Sequence, residues 1–73
     1  MLQIIIGKCL LLKILNHKHM SQAELSEISG ISKTQINEYI GNTRRMSLGN
    51  AKLIAHVLGC HIDQLYEWKI IEK

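Results

Sequence analysis

Four polar residues in one short run, Lys33, Thr34, Asn37 and Glu38, have side chains that match the edges of base pairs. A Lys ammonium suits the guanine acceptors, Asn pairs with adenine, Glu accepts from the cytosine amino group, and Thr meets a thymine methyl or either partner. Anion-binding groups flank the run. Gln22 lies upstream and Ser32 directly before it, while Thr43, Arg44 and Arg45 follow. Guanidinium groups, hydroxyls, amides and the free N–H groups of a helix start are the usual ligands of backbone phosphate. A polar outer face alone is what any surface helix shows. Base-reading types bracketed by phosphate-binding types point to nucleic acid.

These residues need elements to hold them. Ser21 with Glu24 three positions on is a Ser-x-x-Glu capping box, so a helix starts there. Leu25 and Ile28 give it an apolar face, and Gly30 ends it after Ser29 as a C′ glycine. Ile31 plugs inward and Ser32 caps the next helix. Ile36, Tyr39 and Ile40 form that helix's buried stripe. At about 100° per residue, Lys33, Thr34, Asn37 and Glu38 then point away from the core together. Gly41-Asn42 stops the helix. A short Gly-containing turn between two short helices is helix-turn-helix geometry, with the second helix available for a major groove.

The remaining chain reads as support. Leu11, Ile14 and Leu15 predict a first helix over about Gly7 to Lys18. Ser47 caps a fourth helix whose face is Leu48, Ala51, Ile54, Ala55 and Leu58, closed by Gly59. A short fifth helix, Ile62 to Trp68, packs through Ile62 and Leu65. The expectation is an all-α, five-helix single domain over residues 1–73, with an apolar extension at 1–6 and a tail at 69–73. At 73 residues, 47% hydrophobic and 21% charged, without Pro or Phe, the chain suits one small Leu/Ile-cored helical unit. A formal charge of +3 is compatible with a polyanionic partner.

The run SQAELSEISGISKTQINEYIGNTRRMSLGNAKLIAHVLGCHIDQL resembles the Cro/cI-type helix-turn-helix family, the DNA-binding domains of lambdoid phage repressors and many bacterial regulators. Ser21-Gln22-x-Glu24-Leu25, the Gly30-Ile31-Ser32 turn, Ile36, and Ile54-Ala55-x-x-Leu58-Gly59 carry the resemblance, over about Lys8 to Trp68. It implies a lambda-repressor-like domain that binds double-stranded operator DNA as a homodimer, with its third helix in the major groove. By that resemblance Gln22 matches a phosphate-binding glutamine, and Lys33, Thr34, Asn37 and Glu38 match base-reading positions. Ser32 matches a position that is both N-cap and phosphate contact, and Arg44 falls in the loop that touches backbone or a neighbouring base, with Arg45, a phosphate candidate by its position, beside it. The family often pairs an Arg in helix one with a Glu late in helix three. Here those positions are Leu15 and Ile40, and joint replacement by apolar residues avoids a stranded buried charge. The usual Asn-Gly after helix three is reversed to Gly41-Asn42, Met46 stands for the usual Pro, and His61 is a weak cap.

Other chemistries fit less well. His17-Lys18-His19 and His56-x-x-x-Cys60-His61 do not supply the four convergent ligands of a zinc site, so no metal or cofactor is expected. With no Gly-rich phosphate loop or nucleophile motif, an enzyme is not expected either. Cys9 and Cys60 are too few for a disulfide framework, and Lys8 and Lys13 interrupt the apolar start well short of the ~20 residues of a membrane span. A cytoplasmic location without membrane contact follows. The apolar ends remain: Ile4, Ile5, Ile6, and Tyr66, Trp68, Ile70 and Ile71. Either an extended first helix lies across helix five, or an Ile4–Ile6 strand pairs with its copy. The same ends support an alternative function, a protein-binding module such as an antitoxin or antirepressor.

Overall fold

The structure, a computed structural model, describes residues 1–72. The chain runs β1 (Leu2–Cys9), α1 (Leu11–His17), α2 (Gln22–Ser29), α3 (Lys33–Ile40), α4 (Leu48–Leu58), a 3₁₀ turn (Ile62–Leu65) and β2 (Tyr66–Glu72). The expected all-α, five-helix architecture is therefore corrected. Among the described residues there are four α-helices and a two-stranded antiparallel sheet. The first helix begins at Leu11 rather than Gly7, because the preceding residues are strand. The expected fifth helix shrinks to a 3₁₀ turn and becomes β2 at Tyr66. The 1–6 extension and the 69–72 part of the tail are paired with each other, and Lys73 of that tail lies outside the described residues.

The ribbon follows from residue types. Ile4, Ile5 and Ile6 are stiff β-branched side chains, and Tyr66, Trp68 and Ile70 alternate with Glu67 and Lys69. The register sets Leu2 against Glu72, Ile4 against Ile70, Ile6 against Trp68 and Cys9 against Tyr66. Between the last two pairs, Gly7 and Lys8 oppose Glu67 alone, which makes a β-bulge. A Cβ built at Gly7 would lie 2.9 Å from Glu67 Cβ and 3.2 Å from its carbonyl oxygen. Glycine is what lets the strands close there.

The helices pack as their stripes direct. Leu11, Leu15, Leu25, Ile31, Ile36, Tyr39, Ala51, Ile54, Ala55, Leu58, Leu65 and Tyr66 form one buried cluster. Leu15 is fully enclosed and Ile40 packs against the cluster, so the two apolar replacements both serve the core. Two expected core residues are exposed instead, Ile28 at 61% and Leu48 at 78%. Leu48 is the first residue of α4, directly after its Ser47 cap, so its side chain projects beyond the packed turns. Tyr66, expected in an exposed terminal surface, is buried.

Hydrogen bonds join the ribbon and its ends to the helical body. The Leu10 N–H donates to the Leu65 carbonyl (2.7 Å), the Cys9 N–H to Asn42 Oδ1 (2.7 Å), and the Met46 N–H to the Tyr66 hydroxyl (2.9 Å). Trp68 stacks edge-on against Tyr66 and its indole N–H donates to the Asp63 carbonyl (2.7 Å). Because the Gly7 clash is with a β-carbon and backbone, neither can swing away. Gly7→Ala is expected to cost about 1–3 kcal/mol in thermal unfolding, with amide-exchange protection lost first in β1 and β2.

Candidate nucleic-acid interface

The helix-turn-helix forms as its caps require. Ser21 Oγ accepts from the Glu24 N–H (3.0 Å) while Glu24 Oε1 accepts from the Ser21 N–H (3.2 Å). Gly30 takes φ 77°, a left-handed value that side chains avoid, and Ile31 then turns into the core at 5% exposure. Two serines lock this turn. Ser26 Oγ donates to the Ile31 carbonyl (2.7 Å), and Ser29 Oγ accepts from the Ile31 N–H (3.1 Å). Ser32 Oγ accepts from the Gln35 N–H (3.1 Å), starting α3. Asn50 Nδ2 donates to the Tyr39 hydroxyl (2.9 Å), fixing α3 against α4.

With Ile36 and Tyr39 buried, the other side of α3 is set. Lys33, Thr34 and Asn37 are exposed and Glu38 is half-buried. Lys33 is the first residue of the helix and Gln22 the first of α2, half-buried beside its Ser21 cap. Glu38 and Arg44 are not independent. Arg44 Nε lies 3.3 Å from Glu38 Oε1, and the Thr43 N–H and hydroxyl both donate to the Glu38 carbonyl, at 3.0 and 3.2 Å. The pair is largely open to solvent, so it adds at most about 1 kcal/mol to stability. Its effect is positional: it holds a guanidinium at the edge of the α3 outer face. Arg45 reaches the ribbon, its Nη2 donating to the Ile6 carbonyl (3.4 Å).

The reversed Gly41-Asn42 pair now has a reason. Asn42 takes φ 60°, which Asn tolerates, and its amide reaches the ribbon through Cys9. Sequence reasoning had left that contact out, along with Lys8, which joins Gly7, Asn42, Arg44, Arg45 and Tyr66 around a single cleft. The alternation through Tyr66, Trp68 and Ile70 is the signal that could have placed a strand beside this loop. Burial pushes the Cys9 thiol and the Tyr66 phenol up from their ordinary values, the latter against the pull of the Met46 N–H and Arg45. Both therefore stay neutral at neutral pH. Among the described residues no group of three or more His, Cys, Asp or Glu is placed to hold a metal. No helix among them is long and apolar enough to cross a membrane.

A family model described as the Cro/C1-type HTH DNA-binding domain matches residues 11–69. The chain belongs to that family. It is similar to the SPbeta prophage-derived uncharacterized HTH-type transcriptional regulator YopS of Bacillus subtilis (strain 168), at 39% identity over 96% of each chain. A second relative from that strain, the SPbeta prophage-derived uncharacterized HTH-type transcriptional regulator YotL, is 34% identical over 84% of this chain and 78% of its own. Among solved structures, the transcriptional regulator VanUg superposes with a TM-score of 0.71 at 26% identity, over 90% of this chain and 87% of that one. The family is one of DNA-binding regulators rather than enzymes. Its match begins at Leu11, so β1 with Gly7 and Lys8 lies outside the matched segment.

If Asn42 were needed only for its backbone shape, glycine would replace it without loss. Because its amide accepts from Cys9, Asn42→Gly is expected to cost about 1 kcal/mol in chemical unfolding despite the permissive φ.

Proposed function

We propose that this member of the Cro/C1-type family is a sequence-specific transcriptional regulator, acting as a repressor on a two-fold operator through α3 in the major groove. The observation that carries it is the outer face of α3, where Lys33, Thr34 and Asn37 stand exposed beside the Arg44–Glu38 pair. Lys33, Thr34, Asn37 and Glu38 read bases, and Gln22, Ser32, Arg44 and Arg45 position the domain on phosphates. A dimer bound at a promoter would occlude polymerase. The names of YopS and YotL favour a prophage setting, and the cytoplasm is where such a regulator meets its DNA.

The dimer forms through the ribbon. Leu2, Ile4, Ile6, Trp68 and Ile70 share one face by register, and Leu2, Ile4 and Ile70 are each more than 60% exposed. Ile6, Trp68 and Leu48 line one shallow groove, so the face continues onto the start of α4. Leu48 and Trp68 are also exposed, at 78% and 44%, so the apolar face is continuous from the ribbon to α4. A second copy of the same face matches it in chemistry and extent. The same patch favours a second reading, in which the fold serves mainly as a protein-binding module, an antitoxin or antirepressor.

Selection from a random duplex pool, followed by anisotropy at two salt concentrations, separates the two. Base reading gives a two-fold motif whose advantage over unselected duplex persists at the higher salt. Residual binding that collapses with salt leaves phosphate contacts alone and favours the protein-binding module. On the selected duplex, Lys33→Ala and Thr34→Ala should each cost about 1–3 kcal/mol without changing the oligomeric state. Ile70→Asp should do the reverse in sedimentation, giving monomers that still bind a single half-site.

A further inference from the structure

The cleft between the ribbon bulge and the loop after α3 has a composition that the reading of α3 leaves unused. Gly7, Lys8, Asn42, Arg44, Arg45 and Tyr66 line a space of about 260 Å³. Three of the six are cations and none is a carboxylate. Three like charges around so small a space repel one another, and what each faces elsewhere differs. Arg44 has Glu38 on its far side. Among the described residues, neither Lys8 nor Arg45 has a carboxylate within ion-pair distance. Tyr66, held neutral, adds no negative charge.

Two walls of the cleft are tied to the ribbon. Arg45 is tethered to the Ile6 carbonyl, Asn42 to the Cys9 N–H, and Lys8 sits in the bulge that Gly7 makes possible. An anion entering would meet an Arg45 already held by the fold, so less side-chain freedom is lost there on binding. Arg44 both lines the cleft and pairs with Glu38 of α3, so an anion there lies close to the helix that would enter the groove.

We propose that Lys8 joins Arg44 and Arg45 in a clamp for one DNA backbone phosphate, making the β1 bulge part of the nucleic-acid interface. The inference rests on the DNA-binding reading above and adds a contact from outside the family-matched segment. The clamp positions the domain on the duplex and reads no base. It also fixes the ribbon's angle to the DNA, because the phosphate bridges the ribbon and the loop.

The test is the dependence of binding on salt, measured for a duplex selected by the wild-type protein and for an unselected duplex of equal length. Lys8→Gln is exposed and should fold normally, as circular dichroism would check. It should reduce the slope of log K against log salt by about one on both duplexes, weakening binding without altering the preference between them. Lys8→Arg should retain the wild-type slope. Lys69→Gln removes the same charge farther out on the ribbon and should leave the slope nearly intact. An unchanged slope for Lys8→Gln, or an equal fall for Lys69→Gln, overturns the clamp while leaving the DNA-binding reading in place. Failure of the wild-type protein to bind either duplex overturns both.

Discussion

The hydrogen bond from the Cys9 N–H to the Asn42 side chain is the contact on which the arrangement turns. It is the point where the exit of α3 meets the bulge of β1. With it in place, the Tyr66 hydroxyl reaches the Met46 N–H and Arg45 reaches the Ile6 carbonyl. The loop from Asn42 to Met46 is thus tied to the ribbon at three positions. A loop between two helices would otherwise be among the softer parts of a domain this small. Here it holds two arginines at a defined distance from the face of α3.

The ribbon and the helices meet different needs. The helices enclose an apolar cluster that is complete at Leu65 and Tyr66, and the caps at Ser21, Ser32 and Ser47 satisfy backbone donors that would otherwise lack partners. The ribbon adds little to that cluster beyond Tyr66, Ile6 and Cys9. Most of its apolar surface faces outward instead.

The helix-turn-helix was legible in the sequence because its signals are local. Ser21 and Glu24 are one turn apart, Gly30 and Ser32 bracket the turn, and the Ile36–Tyr39 stripe fixes which way Lys33, Thr34 and Asn37 face. The ribbon was not legible in the same way. Ile4 finds Ile70, and no window of sequence contains both. The i, i+3 spacing of Ile62 and Leu65 carries the helical reading over Trp68, although Tyr66, Trp68 and Ile70 alternate as a strand does. Leu48 misled for a different reason: it fits the apolar period of α4, but the first residue of a helix has no preceding turn to pack against. The Arg44–Glu38 pair and the place of Lys8 depend on loop path, which spacing does not specify.

The antiparallel register sets Leu2 beside Glu72, so the first strand made is completed by the last. During synthesis, Ile4, Ile5 and Ile6 leave the ribosome well before any partner for them exists. The helical contacts between them are short-range in sequence and form quickly, whereas closing the ribbon must wait for nearly the whole chain. Until then a β-branched edge stands open, the kind of edge that recruits strands from other chains. Lys8 follows that segment closely and Lys13 comes early in α1, and their charges discourage such encounters in the interval before β2 arrives.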